Sequence, residues 1–170
     1  MIVALFGSPG AGKDTVAKIL IEEHGYRRVA FADKVRDLTY ELNPHIFSRD
    51  VCLQVVVDTY GWDITKREID EVRRWLERVG DGCREVLGDN VWIERAFCGI
   101  NATSDIVVTD LRKENEYTSL RYAGAKFWHI TRNGCEKRPF DEWKPEWANA
   151  TIENNGTIDE LREKVRKFME

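Results

Sequence analysis

An α/β fold, with helices on both faces of a five-stranded parallel sheet, is what this sequence predicts. Two observations carry it. Short continuous apolar runs, such as Ile2 to Phe6 and the core of "DIVVTD" at Asp105 to Asp110, have the pattern of strands buried on both faces. Stretches with helical apolar spacing separate these runs, which implies parallel pairing through right-handed crossovers and a three-layer sandwich. A ligand crevice in such a sheet lies at the carboxyl ends of the strands.

Ile2 to Phe6 is the first strand. Val16, Leu20 and their neighbours give a helix from Thr15 to His24, and Gly25 stops it. "RRVAF", Arg27 to Phe31, reads as the second strand. Asp33 then stands where an N-cap would open a helix through about Glu41. The middle, from Ser48 to Phe97, reads as mostly helical. In "KREIDEVRRWLERV", Ile69, Val72, Leu76 and Val79 share one face while Lys66, Arg67, Arg73 and Arg74 fill the others. "DIVVTD" is the third strand, and Gly124 ends the polar helix after it. "KFWHITR", Lys126 to Arg132, is the fourth strand and "ATIEN", Ala150 to Asn154, the fifth. In the last helix Thr157 and Glu160 make a capping box, with Ile158, Leu161, Val165 and Phe168 as the buried stripe.

A chain of 170 residues suits one domain, and no repeat or low-complexity linker divides it. The hydrophobic fraction of 42% excludes a disordered chain. A net charge of -4 argues against nucleic-acid and membrane-surface partners, and no apolar run reaches the roughly 20 residues of a membrane span. The opening "MIVALFG" is too short for a secretory signal. Cys52, Cys83, Cys98 and Cys135 are scattered without CxxC pairing, which suits a reducing cytoplasm better than disulfides or zinc. The two "NAT" tripeptides, at Asn101 and Asn149, read as chance.

"FGSPGAGKDT" carries the chemistry. Gly7, Gly12 and Lys13 fit the first seven positions of G-x-x-x-x-G-K-[ST], between a buried strand and an amphipathic helix. In such a loop Gly7, Ser8, Gly10, Ala11 and Gly12 turn backbone N–H groups inward, the helix N-terminus adds positive potential, and Lys13 places a charge by the outer phosphates. Asp14 replaces the usual hydroxyl. A carboxylate is also a hard oxygen ligand, so Asp14 can serve Mg²⁺ directly or through water, while Thr15 keeps a hydroxyl for the phosphates. The plainer alternative is a favourable charge in the first turn of a helix.

Asp110 closes the third strand, where a carboxylate can serve the metal, and Arg112 offers a fork suited to phosphate. Arg36, one turn into the second helix, and Arg78 and Arg84 around "VGDGC" add further cations.

Five stretches together, "GSPGAGKDTVA", "FADKVR", "RVGDGCREVLGDNVWI", "VVTDLRKENE" and "ATIENNGTIDEL", make the chain resemble the deoxynucleoside monophosphate kinases of tailed bacteriophages. These are relatives of dephospho-coenzyme A kinase and of the wider P-loop nucleoside monophosphate kinases. The stretches cover roughly a third of the chain in the family's order, and GKD with Asp110, Arg112 and Glu116 are the more specific. The resemblance implies a P-loop kinase fold over residues 1–170, with a helical acceptor-binding region at about 33–97 and a short lid at 132–149. It implies ATP and Mg²⁺, with Lys13 on the ATP phosphates, Asp14 and Asp110 at the metal, and Asn154 and Asn155 beneath the adenine. Asp110 and Arg112 would line the reaction centre, and Arg132 and Arg138, with Lys137 a lesser candidate, would close over the transferring phosphate. Asp33, Lys34, Arg36, Arg78, Arg84 and Trp92 would hold the acceptor. Lys34 and Val35 depart from the family's usual pattern after the aspartate, which leaves Lys34 and Arg36 both open as the phosphate-binding side chain.

The implied activity is transfer of the γ-phosphoryl group of ATP to a (deoxy)nucleoside monophosphate in a cytoplasm, that of the host if the chain is phage-encoded. A kinase for another small metabolite, dephospho-coenzyme A included, and a nucleotide-binding module without turnover are the alternatives. The absence of N-K-x-D weighs against a GTPase. Trp143 and Trp147 could pack the lid shut or stack on the body. The preferred base, the sugar and dimerisation stay open.

Overall fold

A computed structural model describes residues 1–169 of the chain. Strands β1 (Ile2–Phe6) and β2 (Arg27–Val29) join β5 (Ile106–Val108), β6 (Lys126–Thr131) and β7 (Ala150–Glu153) in one sheet. Its order is β2-β5-β1-β6-β7, and every neighbouring pair is parallel. The remaining labels, β3 (His45–Ile46) and β4 (Val51–Cys52), belong to a small antiparallel hairpin.

Alternate residues of each strand face opposite ways. Val3, Leu5, Val107, Trp128, Ile130 and Ile152 pack with Val16, Ala17, Ile19 and Leu20 of α1 (Lys13–His24) and Leu161 and Val165 of α7 (Ile158–Met169). On the other face Phe6 meets Trp143 and Trp147. Tyr117 of α6 (Glu114–Tyr122) stacks on Trp147 at 4.3 Å and tilts against Phe127. Each large side chain buried here contributes about 1.5–3 kcal/mol. The result is the three-layer α/β sandwich with a five-stranded parallel sheet.

The chain packs as two compact units, one of Met1–Ala30 with the stretch from Phe97 onward, the other of Phe31–Ala96. The second contains α2 (Phe31–Leu42), the hairpin, α3 (Leu53–Glu68), α4 (Asp70–Leu87) and most of α5 (Val91–Phe97). Its core is Ile46, Leu53, Val56, Val57, Ile69 and Val72.

Several local expectations need correction. β2 stops at Val29, and buried Phe31 begins α2, so Asp33 lies in the first helical turn rather than at the N-cap. It still complements the positive helix end there. Ile69 is extended (φ −127°, ψ 99°) and separates α3 from α4, although it shares its buried face with Val72 and Val79. Ile158 and Phe168 are each 45% exposed, which narrows the stripe of α7 to Leu161 and Val165. The capping box forms: the Thr157 N–H donates to Glu160 Oε2 at 3.1 Å, and the Glu160 N–H to Thr157 Oγ1 at 3.3 Å. All four cysteines are free. No helix among the described residues is long and apolar enough to cross a membrane.

Candidate active site

The turn from β1 into α1 runs through Gly7, Gly10 and Gly12 with φ of 135°, 80° and 99°, the left-handed region that favours glycine. A Cβ on Gly7 would collide with the backbone oxygen of Ile130, and one on Gly12 with the side-chain amide of Asn154. Gly12 is the N-cap of α1, and no side chain caps this helix. Where α7 satisfies its first turn with a capping box, α1 leaves N–H groups and positive potential for something else.

Neighbouring strand ends brace the turn. The Ser8 carbonyl accepts the Ala11 N–H at 3.2 Å, and Asn154, just past β7, donates from its side chain to the Ala11 carbonyl at 2.9 Å. Asn155 Oδ1 accepts the Asn133 N–H at 2.8 Å, which joins the ends of β7 and β6.

Lys13 folds over the turn and donates from Nζ to the Gly7 and Ser8 carbonyls at 2.9 and 3.0 Å. Burial pushes its pKa below the ordinary lysine value. The positive charge of Arg112 pushes further in the same direction, as does that of Arg138, while Asp14 and Asp141 oppose. Lys13 therefore lies within electrostatic reach of Arg112, at the strand end, and more weakly of Arg138, in the loop. An anion placed there relieves the like-charge effect on Lys13.

The backbone fixes Arg112 on both sides. Its N–H donates to Glu116 Oε2 at 2.8 Å, and its carbonyl accepts the Glu142 N–H at 2.9 Å. Glu116, 4% exposed, also takes the Lys113 N–H. Asp110 is half-buried at the start of this turn, Asp14 is exposed in the first turn of α1, and Thr15 beside it is half-buried. Among the described residues no group of three or more His, Cys, Asp or Glu could cage a metal. Mg²⁺ needs only one or two protein oxygens beside phosphate and water, so the carboxylates of Asp14 and Asp110 have the chemistry to hold one.

The 132–149 stretch divides in two. Arg132 is exposed, and Arg138 is half-buried with its guanidinium 5.7 Å from the Phe140 ring centre. Lys137 donates to the Trp143 carbonyl at 2.6 Å and lies 4.7 Å from the centre of the Trp143 ring, an anchoring role. From Asp141 onward the chain is pinned: Trp143 and Trp147 are buried against the sheet, and the Glu142 carboxylate accepts from Lys113 Nζ and the Glu114 N–H. The two tryptophans thus stack on the body.

In the helical unit Arg36 lies 3.7 Å from both Asp33 and Asp63, Lys34 2.8 Å from Asp37, and Arg84 3.1 Å from Asp81. The Arg78 guanidinium sits 5.7 Å from the Trp75 ring centre. Trp92 is interior, 4% exposed, and its indole N–H donates to the Gly80 carbonyl at 2.9 Å, so it acts as a packing residue.

Sequence reasoning missed two residues of the loop's surroundings. His129 stacks on Phe6 at 4.8 Å, and burial, with the charge of Lys13, pushes its pKa down. Asp141 is buried within electrostatic reach of Lys13. Its signal was present, an acid three residues after Arg138 and directly before the pinned "EW", but nothing local separates it from other charges of that stretch.

No protein-family profile matches the chain, and no curated protein is similar enough in sequence to count as a relative. Among solved structures the chain is similar to shikimate kinase from Aquifex aeolicus, at 11% identity and TM-score 0.48 over 99% of this chain and 96% of that one. It is similar also to dephospho-CoA kinase from Campylobacter jejuni, at 13% identity and TM-score 0.47 over 99% and 94%. A third is the APS kinase CysC of Mycobacterium tuberculosis, at 16% identity and TM-score 0.44 over 99% and 95%.

Proposed function

We propose that the protein transfers the γ-phosphoryl group of ATP to the 5′-phosphate of a nucleoside or deoxynucleoside monophosphate, yielding two diphosphates. The observation that supports this best is the glycine turn itself, with Lys13 folded over its Gly7 and Ser8 carbonyls and a following helix that has no side-chain cap, within electrostatic reach of Arg112. Such a place suits a chain of phosphates.

An oxygen of the acceptor phosphate attacks the γ-phosphorus as the bond to the β–γ bridging oxygen breaks, and ADP leaves. That oxygen is already ionised near neutral pH, so no residue has to act as a strong base. The turn's amides hold the β-phosphate, and Lys13 exchanges the Gly7 and Ser8 carbonyls for phosphate oxygens. Arg112 and Arg138 neutralise charge that builds on the transferring group, with Arg132 available from the exposed side. Asp14 and Asp110 would hold Mg²⁺, which would supply further charge neutralisation at the phosphates. Arg36 or Lys34, with Arg78 and Arg84, is assigned to the acceptor's phosphate.

The test is ADP release from ATP against a panel of nucleoside and deoxynucleoside monophosphates. Lys13→Ala and Arg112→Ala should each lose about 10³-fold or more in turnover. Near-normal turnover in both variants would remove the proposal.

A further inference from the structure

Asn154 has no part in the mechanism above, and the resemblance places it with Asn155 beneath the adenine of ATP. Its contacts give it a nearer partner. The side-chain amide donates to the Ala11 carbonyl at 2.9 Å, and Ala11 is 0% exposed. The same amide nitrogen occupies the place that a Cβ on Gly12 would need. One group therefore holds the turn at residue 11 and excludes a side chain at residue 12, the N-cap of α1, where a φ of 99° already favours glycine.

A turn that aims its N–H groups at an anion aims carbonyls away from it, and those carbonyls need donors of their own. Here the carbonyls of Gly7 and Ser8 take Lys13 Nζ at 2.9 and 3.0 Å, and that of Ala11 takes Asn154. The two donors differ in what binding does to them. Lys13 gives up its carbonyls for phosphate oxygens in the proposed reaction, whereas Asn154 has no reason to leave.

Asn154 is itself firmly mounted. Its N–H donates to the Thr131 carbonyl at the end of β6 at 2.8 Å. The carbonyl of Glu153, just before it, accepts from Lys164 Nζ at 2.6 Å, and the capping box of α7 starts at Thr157, three residues on. Such a mount can hold a neighbouring loop to a few tenths of an ångström.

We infer that Asn154 is a positioning residue whose amide keeps the glycine turn shaped for a phosphate chain once Lys13 has moved, acting through the turn and not through the base. The consequence for binding rests on the kinase reading; the bracing of the turn does not.

The test uses Asn154→Ala, which removes the amide, and Asn154→Asp, which keeps its shape but has no proton to donate at neutral pH. The first readout needs no ligand. Hydrogen exchange of the Ala11 N–H, which bonds to the Ser8 carbonyl, should be about tenfold faster in both variants, the equivalent of one lost hydrogen bond. The second is calorimetric titration of parent and N154A with ATP and with inorganic tripolyphosphate, which carries no base. Both dissociation constants should rise by one common factor, about tenfold. A contact to adenine would weaken ATP and leave tripolyphosphate unchanged. A residue serving overall stability alone would leave both constants at the parent value wherever N154A is folded. Either result overturns the inference, as does Ala11 exchange at the parent rate in the two variants. If N154A does not fold, Asn154→Ser, whose hydroxyl is too short to span the gap, takes its place under the same criteria. Because exchange is followed without ligand, a parent that binds neither phosphate compound would count against the kinase reading alone.

Discussion

The cations of the helical unit and those around the glycine turn live under different conditions. In the helical unit they are matched on their own helices: Lys34 with Asp37 at 2.8 Å, Arg36 with Asp33 at 3.7 Å, Arg84 with Asp81 at 3.1 Å and Arg73 with Asp70 at 3.8 Å. Such i,i+3 pairs at a wet surface are worth a few tenths of a kcal/mol and are largely self-contained. Around the glycine turn, Lys13 is half-buried and the charges acting on it include two arginines as well as two acids. A cation neutralised by its own helix says little about a ligand. One buried with two other cations within electrostatic reach, at a helix end without a cap, is suited to an anion from outside, even with two acids in the same surroundings.

Glycine substitution should separate the two units most sharply. In Gly7→Ala the new Cβ would meet the Ile130 carbonyl of β6, a backbone atom that cannot swing aside, at a φ of 135°. The expected cost is about 2–4 kcal/mol of unfolding stability, with loss of triphosphate binding by calorimetry. Gly82→Ala, in α4, meets nothing within 4 Å, and should instead stabilise by about 0.5–1 kcal/mol. Denaturant melts that rank the two variants the other way would break the contrast.

A smaller effect is expected within the helical unit, between Lys34 and Arg36. Lys34 has a close partner in Asp37, whereas Arg36 spans two acids at 3.7 Å and keeps only 25% side-chain exposure. A phosphate can displace those longer contacts and gain a two-pronged hydrogen bond. Arg36→Gln should therefore raise the acceptor KM about 10–100-fold, and Lys34→Gln less than about threefold. Equal effects from the two would mean that the local pairs do not decide which cation meets the acceptor.

What could be read from the sequence follows the same division. The glycine turn, its lysine and the capping box at Thr157 each lie in one short stretch, so spacing alone encodes them. The sheet was legible because buried parallel strands are uniformly apolar. Ile69 was not: its apolar side chain continues the helical face, while only the backbone records the break between α3 and α4. The hairpin at His45–Ile46 and Val51–Cys52 is too short to show alternation. Trp92, which the resemblance places at the acceptor, spends its N–H on the Gly80 carbonyl, a tertiary contact that no periodicity reveals. Asp141 and His129 reach Lys13 from strands and loops distant in sequence.

The smallest expected effect uses His129 as a reporter on the charge of Lys13. Burial, and then the Lys13 charge, keep its imidazole more readily neutral in the folded chain than in the unfolded one, where the ordinary value of 6.5 applies. On unfolding in mild acid the ring gains a proton that the folded state takes up less readily. Its contribution to stability is thus complete above pH 6.5 and is lost as pH falls from there toward the lower folded value. His129→Phe, which can keep the stack on Phe6, should lose less stability than the parent over that window. A bound triphosphate should go further: by neutralising Lys13 it removes the second cause but not the first, so the His129 midpoint should rise part of the way back when followed by NMR with an ATP analogue. A midpoint that stays put or falls would mean that the anion does not sit beside Lys13, and the contrast between the helical unit and the glycine turn would lose its functional meaning.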